Sequence, residues 1–279
     1  IGALGICVRS IGPLIGHKYT DPAIINIDST ARHVVSVLSG HVGGANELTR
    51  DLAALLGAEP VISTQTDNTG LWALDLFSRR YGWYTETNAP SLNQPIARYT
   101  NKERTALLLE VKDKGTLELE RTKAEHVDVF YSREELTPHL GDYALVLVVS
   151  PQRFDAGATP TIQFVPRVLS LGLGCRYQCE PTDIVEHIFS EIRRLGFYPE
   201  AIGKLATIDL KKDEPLLHEL AERLGVTPLI YTADELKDVE VLSPSQKVFE
   251  VTGVWGVAES TSRYAAGLGS IVLPKQKGM

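Results

Sequence analysis

Apolar and polar positions along the first part of the chain predict strands and helices in turn. Leucines at helical spacing, followed by Gly57, predict one helix with its C-terminal cap. The predicted elements are strands at Leu4–Val8, Ile24–Ile27 and His33–Leu38, a helix carrying Leu48, Leu52, Leu55 and Leu56, a strand that begins at Val61–Ile62, and a helix over Leu71–Arg80. This alternation is typical of a parallel sheet whose faces are covered by helices.

A polar stretch rich in asparagine and proline, residues 84–104, separates this part from the next. Apolar runs then predict strands at Ala106–Val111, Val127–Tyr131 and Ala144–Val149. A second break lies at Pro151–Pro160. We therefore divide the chain into an N-terminal α/β domain at residues 1–88, a small middle domain with linkers at 89–162 and a C-terminal α/β domain at 163–279.

After Pro166 the alternation is more regular. The predicted strands are Val168–Leu173, Leu205–Leu210, Pro228–Tyr231 and Ser270–Leu273, and the predicted helices begin at Pro181, cover Leu216–Leu224 before Gly225, and cover Val257–Ala266. The sequence thus predicts an α/β protein with two doubly wound parallel-sheet domains joined by a small α/β middle segment.

Composition narrows the functional classes. The 279 residues are 43% hydrophobic and 23% charged, which is typical of globular domains and not of disordered chains. The formal net charge of −7 argues against nucleic-acid and anionic-membrane partners. Three cysteines cannot form a disulfide framework, and no apolar run is long enough to span a bilayer, so we expect a cytoplasmic protein.

The stretch SGHVGGANE, residues 39–47, lies between a predicted strand and a predicted helix. Ligands of open α/β sheets bind at this end of the strands, and helix N-termini favour anions. We expect a cradle for a carboxylate, phosphate or oxyanion, built by Ser39, Gly40, Gly43 and Gly44 with unpaired N–H groups near residues 45–48. His41 is the candidate general base, although it could instead bond a carbonyl and complete the turn. Asn46 is a candidate contact or a turn residue.

Further candidates follow other predicted strands. Asp67 faces the same rim or caps the next helix, and Arg9 and Lys18 follow the first strand. In the C-terminal part, Gly174 and Arg176 form a second glycine turn with a possible carboxylate clamp. Lys204 and Asp209 flank the next strand, where solvent exposure is the plainer explanation. The sequence contains neither the Walker A nor the G-x-G-x-x-G fingerprint, which argues against a nucleotide-binding protein, and it contains no ligand cluster with metal-site spacing.

Several of these motifs together resemble one known family. GICVRSIGPLIGHKYTDPAI and VVSVLSGHVGGANELTRDLAALLGAEPVISTQTD resemble the N-terminal part of the cobalt-precorrin-5A hydrolase family, the CbiG proteins of anaerobic cobalamin biosynthesis. LGLGCR, GKLATIDLKKDEPLLHELAERLG and WGVAESTSRYAAG with IVLPKQK resemble its C-terminal domain. The resemblance covers nearly the whole chain, with little signal in the middle. Family members usually begin some tens of residues upstream of Ile1, which implies that the first domain is incomplete at its N-terminus.

The resemblance implies a reaction in which the δ-lactone of a cobalt-bound corrinoid opens and a two-carbon fragment leaves as acetaldehyde. His41 would then act as base beside the glycine turn, and Gly174, Arg176, Lys204 and Asp209 would hold the macrocycle's periphery. No cofactor is expected, because cobalt is carried by the substrate. The expected partner is a cobalt-corrinoid small molecule; a homodimer and a contact or fusion with other pathway enzymes stay open. The rival hypothesis is a corrinoid-binding or chaperoning protein without catalysis.

Overall fold

A computed structural model of the chain describes residues 1–17, 20–41, 43–64 and 70–276. Its strands form three sheets, one in each third of the chain, and helices connect them. The predicted α/β class is confirmed. No helix in the described ranges is long and apolar enough to cross a membrane.

The first sheet has the order β1-β2-β3, with β1 at Ile24–Ile27, β2 at His33–Leu38 and β3 at Glu59–Val61. β1 and β2, the two predicted strands, pair antiparallel as a hairpin, and β3 pairs parallel with β2. The sheet is therefore mixed and not parallel throughout, because a turn of a few residues can join only antiparallel neighbours. The predicted helix is confirmed as α2, Ala45–Leu56, and Gly57 follows it with φ 65°.

Two predictions for this first unit were wrong in detail. Leu4–Val8 belongs to a helix, α1, at Leu4–Ile11, since an apolar run this short fits a strand and a helix equally well. In α2 the buried face is Ala45, Thr49 and Ala53, whereas Leu55 is 80% exposed. Small residues at i, i+4 and i+8 let the helix lie close to the sheet, so the leucine stripe faces outward.

The middle sheet has five strands in the order β4-β8-β7-β5-β6. Its elements are α3 Leu74–Tyr81, β4 Tyr84–Thr87, α4 Asn93–Thr100, β5 Thr105–Leu109, α5 Lys114–Arg121, β6 Val127–Phe130, α6 Arg133–Leu136, β7 Leu145–Val149 and β8 Thr161–Val165. β4 runs antiparallel to β8, and the other pairs are parallel.

The core of the middle unit includes residues that the sequence division had placed in the first domain. Trp72, Phe77 and Trp83 pack in one cluster with Leu107 and Phe164. α3 and β4 therefore belong to the middle unit and not to residues 1–88 as a separate domain. The polar composition after residue 84 suggested a linker there, but β4 is an edge strand, and edge strands commonly carry polar and charged residues.

The C-terminal sheet is parallel, with the order β11-β10-β9. Its elements are β9 Leu169–Gly172, α7 Ile184–Arg194, β10 Ile202–Ile208, α8 Pro215–Leu224, β11 Leu229–Tyr231, α9 Ala233–Leu236, α10 Gln246–Thr252 and α11 Val257–Ala265. Residues of α7 and α8 form one core cluster with Leu205, while Ile208 packs in another with Leu236 and Val257.

The predicted last strand, Ser270–Leu273, is not a strand. Instead, the backbone near Lys275 is bound by a buried carboxylate. Glu259 is 3% exposed and accepts hydrogen bonds from the backbone N–H groups of Leu242 (2.7 Å), Ser243 (2.9 Å) and Lys275 (3.1 Å). Burial alone would raise the pKa of Glu259, but these hydrogen bonds stabilise the charged form and hold its pKa below the usual value.

We expect Glu259→Gln to lower the free energy of unfolding at pH 7 by roughly 2 kcal/mol, because the charged acceptor is lost. A lowered native pKa stabilises the fold above the ordinary carboxyl value of 4.5 and stops doing so as pH falls through the native value. The difference between the two proteins should therefore shrink below pH 4.5, measured by urea unfolding across pH. Glu240→Gln, at a side chain 93% exposed, is the control and should show no such difference.

Candidate functional site

The turn between β2 and α2 is closed by its own backbone. Ser39 has φ 56° and Gly44, the N-cap of α2, has φ 80°; both are left-handed conformations. The carbonyl of Ser39 accepts from the N–H groups of Gly43 (3.1 Å) and Ala45 (3.2 Å), and the Gly40 carbonyl accepts from Asn46 N–H (2.9 Å). The loop is thus a compact, internally bonded turn.

This bonding corrects the predicted anion cradle. The N–H groups near residues 45–48 were expected to be unpaired, but Ala45 and Asn46 donate to the loop, and Leu48 donates to the Gly44 carbonyl at 3.1 Å. Their protons are already engaged. The partial positive charge of the α2 N-terminus still favours an anion nearby.

Two of the loop glycines are required by packing. A Cβ on Gly40 would lie 2.6 Å from the Asn46 side-chain oxygen, and one on Gly43 would lie 3.0 Å from the Ala23 backbone nitrogen. Both positions therefore exclude larger residues. Their glycines are explained by close approach of the chain and not by an open ligand cradle.

Asn46 ties three segments together from a buried position. It is 4% exposed, its Oδ1 accepts from Ser36 Oγ at 2.7 Å and its Nδ2 donates to Thr64 Oγ1 at 2.8 Å. Thr64 lies in the segment after β3. Asn46 therefore fixes the turn against the rim of the sheet, which favours the structural interpretation of this residue over a substrate contact.

We expect Asn46→Ala to lower the free energy of unfolding of the first unit by about 2 kcal/mol, since Ser36 and Thr64 lose their partner in a buried place. Glu47→Ala, at the next, exposed position, is the matched control and should change stability by less than about 0.5 kcal/mol. Chemical unfolding curves of both variants measure the difference. Equal stability of both variants would contradict this role of Asn46.

A second segment, residues 20–23, contacts the same turn and also binds the backbone of Gly16 and His17. Ser39 Oγ donates to the Asp21 carbonyl at 2.8 Å, and Asp21 Oδ1 accepts from the N–H groups of Gly16 (3.0 Å) and His17 (3.1 Å). The TDPA and SGHVGGANE motifs, about twenty residues apart in sequence, thus meet at one rim. His41 is half-buried in this rim and His17 is exposed beside Asp21.

His17 and the turn-binding role of Asp21 were not predicted from the sequence. Aspartate is common in turns because its side chain accepts hydrogen bonds from nearby backbone N–H groups, and this is the signal that could have indicated Asp21. Lys18 and Asp67, both predicted as substrate contacts, lie outside the described residues. Arg9 does not follow a strand, because it lies in the last turn of α1, where it is exposed.

The predicted C-terminal residues divide between two ends of the sheet. Gly174, Arg176 and Asp209 follow β9 and β10 and lie at the carboxyl edge, where Leu173 N–H bonds the Ala206 carbonyl at 2.8 Å. Lys204 lies near the start of β10, and its Nζ donates to the Ala265 carbonyl at 2.6 Å. Lys204 therefore stabilises the end of α11 and does not join the other three residues.

Gly172 and Gly174 allow α11 to lie close to the backbone at the end of β9. A Cβ on Gly172 would lie 1.8 Å from the Ala258 carbonyl oxygen, and one on Gly174 would lie 3.3 Å from Val257 Cβ. This explains Gly174 by contact with the helix. The expected role of Gly174 as a substrate contact stays a prediction.

The thiols of Cys175 and Cys179 are close enough to interact, and both cysteines are free. Burial, with a smaller contribution from the Glu214 charge, raises the pKa of Cys175 to about 11. The thiol is thus protonated at neutral pH, which argues against a nucleophilic role. In the described ranges no group of three His, Cys, Asp or Glu residues is arranged to hold a metal ion.

Comparison with known proteins gives three consecutive family matches. The models described as Cobalamin synthesis G N-terminal, Cobalamin biosynthesis central region and Cobalamin synthesis G C-terminus match residues 1–67, 72–166 and 169–279. A Priestia megaterium protein named cobalt-precorrin-5A hydrolase is 35% identical over 280 residues, which are 99% of this chain and 74% of that protein.

A Salmonella typhimurium protein of the same name is 31% identical over 268 residues, covering 92% of this chain and 72% of that protein. A crystal structure of a putative cobalamin biosynthesis protein G homolog from Sulfolobus solfataricus is 20% identical, with a TM-score of 0.37, over 96% of this chain and 73% of that one. On the family matches and the two curated relatives, this chain belongs to the CbiG family of cobalamin biosynthesis proteins.

Proposed function

We propose that this chain is a cobalt-precorrin-5A hydrolase, which opens the δ-lactone of its corrinoid substrate and releases acetaldehyde. Relatives of that name match nearly the whole chain at 35% and 31% identity, and the family matches cover all three units. The structural observation that supports the proposal is the contact of residues 20–23 with the turn after β2, through the 2.8 Å hydrogen bond that Ser39 Oγ donates to the Asp21 carbonyl.

Lactone hydrolysis needs an activated water and a stabilised oxyanion. His41 lies in this turn, half-buried, and histidine is the side chain that most often serves as a general base in enzymes. We assign it the role of taking a proton from the attacking water. The oxyanion then lies towards the positive end of α2, a helix of twelve residues.

Loss of the two-carbon fragment requires a second proton transfer. After the lactone opens, removal of the hydroxyl proton lets the carbon–carbon bond break, the carbonyl of acetaldehyde form and the bonding electrons return to the macrocycle, which takes up a proton. We assign the proton transfer of this step to His17, which is exposed and whose backbone N–H donates to Asp21 Oδ1 at 3.1 Å. Cobalt enters with the substrate, so the side chains of this chain perform only binding and proton transfer.

The proposal is tested by incubating the purified protein with cobalt-precorrin-5A and following the corrinoid by mass spectrometry. A corrinoid that has gained water and lost acetaldehyde supports it. A corrinoid that co-purifies stoichiometrically and keeps its mass supports the rival, a binding or chaperoning protein. The cytoplasmic location, a homodimer and a contact with other pathway enzymes stay predictions.

A further inference from the structure

Two loops at the carboxyl edge of the C-terminal sheet carry a group of side chains to which the lactone chemistry above assigns no role. The loop after β9 and the loop after β10 leave neighbouring parallel strands and lie side by side at this edge. Ligands of open α/β sheets bind outside these strand ends.

A buried carboxylate locks these two loops together. The Glu214 side chain is 5% exposed; its Oε1 accepts from Lys211 Nζ at 2.9 Å and its Oε2 from Cys179 N–H at 3.1 Å. Glu214 is the N-cap residue of α8, yet its side chain makes no bond to that helix. It is instead turned towards the neighbouring loop. Burying a carboxylate is costly unless donors compensate it, so this position specifies the geometry of both loops.

The locked loops present an aromatic and cationic surface. Lys211 Nζ lies 5.9 Å from the ring centroid of Tyr177, and the Tyr177 side chain is 80% exposed. Leu210, also on this surface, is 61% exposed. Arg176 is exposed and has no ion-pair or hydrogen-bond partner in the described part of the chain. A lysine ammonium has three donors, so Lys211 keeps capacity for a second anion while it bonds Glu214.

The loop after β9 has a strained backbone. Gln178 and Asp183 have φ values of 52° and 65°, in the left-handed region that non-glycine residues rarely adopt. Such conformations persist only where surrounding contacts enforce them. The Glu214 bond to Cys179, the residue after Gln178, is one of those contacts.

We propose that Arg176, Tyr177, Leu210 and Lys211 form a binding surface for the carboxylate-fringed corrin ring, and that Glu214 is the positioning residue that aligns its two loops. This inference rests on the proposed function for the identity of the ligand. An apolar ring with carboxylates around it fits the surface: Tyr177 and Leu210 offer apolar contact, while Arg176 and Lys211 donate to carboxylates.

The test measures binding of dicyanocobyrinic acid, a coloured polycarboxylate cobalt corrinoid, by ultrafiltration and absorbance. Tyr177→Ala and Arg176→Ala should each raise the Kd about tenfold, and Tyr177→Phe should leave it within about twofold of the unaltered protein. Both sites are exposed, so all three variants should retain the fold. Tyr131→Ala, at a tyrosine 55% exposed in the middle unit, is the matched control with unchanged Kd.

A double-mutant cycle tests the positioning role. If Glu214 positions the two loops, Glu214→Gln weakens binding, and it weakens binding less in the Tyr177→Ala protein than in the unaltered protein, because part of its effect passes through Tyr177. Additive losses in the cycle would instead assign Glu214 a general structural role and overturn the positioning claim.

Acetaldehyde release, measured alongside, separates this inference from the function. Turnover by the unaltered protein, together with unchanged Kd in the Arg176 and Tyr177 variants, would overturn the binding surface and leave the proposed function standing. Failure of the unaltered protein to bind the corrinoid would also overturn the surface. Failure to release acetaldehyde from cobalt-precorrin-5A would overturn the function.

Discussion

Gly172→Ala should destabilise the C-terminal unit by at least about 3 kcal/mol, since its Cβ has no room. The added carbon would lie 1.8 Å from the Ala258 carbonyl oxygen and 2.9 Å from Thr261 Oγ1. The first of these atoms is backbone, so no rotamer change relieves the overlap. α11 would have to move away from β9 and β10, the two strands on which it packs.

Differential scanning calorimetry measures the effect, with an expected fall in Tm of roughly 10 °C or more for the transition of this unit. Gly141→Ala is the matched control, because a Cβ there meets no atom within 4 Å. An unchanged Tm for Gly172→Ala would mean that α11 does not lie against β9 as described.

His41→Gln should lower the rate of acetaldehyde release by about 100-fold or more while leaving the fold intact, because glutamine keeps polar atoms but cannot take up a proton. As His41 is half-buried, the change creates no large cavity. The expected loss is in kcat, because a general base acts in the transition state and adds little to substrate affinity.

His139→Gln, at an exposed histidine of the middle unit, is the control and should retain full turnover. A variant with nearly the wild-type rate would remove His41 from the mechanism and return it to the alternative of a turn residue.

Sequence periodicity predicted the elements whose signals are local. The strands β1 and β2 and the helices ended by Gly57 and Gly225 are confirmed, because hydrophobic alternation and a left-handed C-terminal glycine depend only on neighbouring residues. The prediction of a strand at Leu4–Val8 was wrong because this short apolar run fits the period of a strand and that of a helix equally well. Only tertiary packing decides between the two.

The geometry of the candidate site could not be predicted from the sequence, because it depends on hydrogen bonds between residues that are distant along the chain. Paired N–H groups in the SGHVGGANE turn follow from the left-handed backbone of Ser39, a non-glycine residue for which no pattern predicts φ 56°. The tie between Ser39 and Asp21 joins segments about twenty residues apart. Likewise, the sequence placed Lys204 beside a strand but could not predict its bond to the end of α11.

The most direct test of the proposed hydrolase counts acetaldehyde molecules released per protein molecule from cobalt-precorrin-5A, with an aldehyde-trapping reagent and His41→Gln in parallel. We expect the unaltered protein to release many equivalents and the variant to release about a hundredth as much in the same time. Stoichiometric binding of the corrinoid without acetaldehyde would contradict the account and identify a binding protein instead.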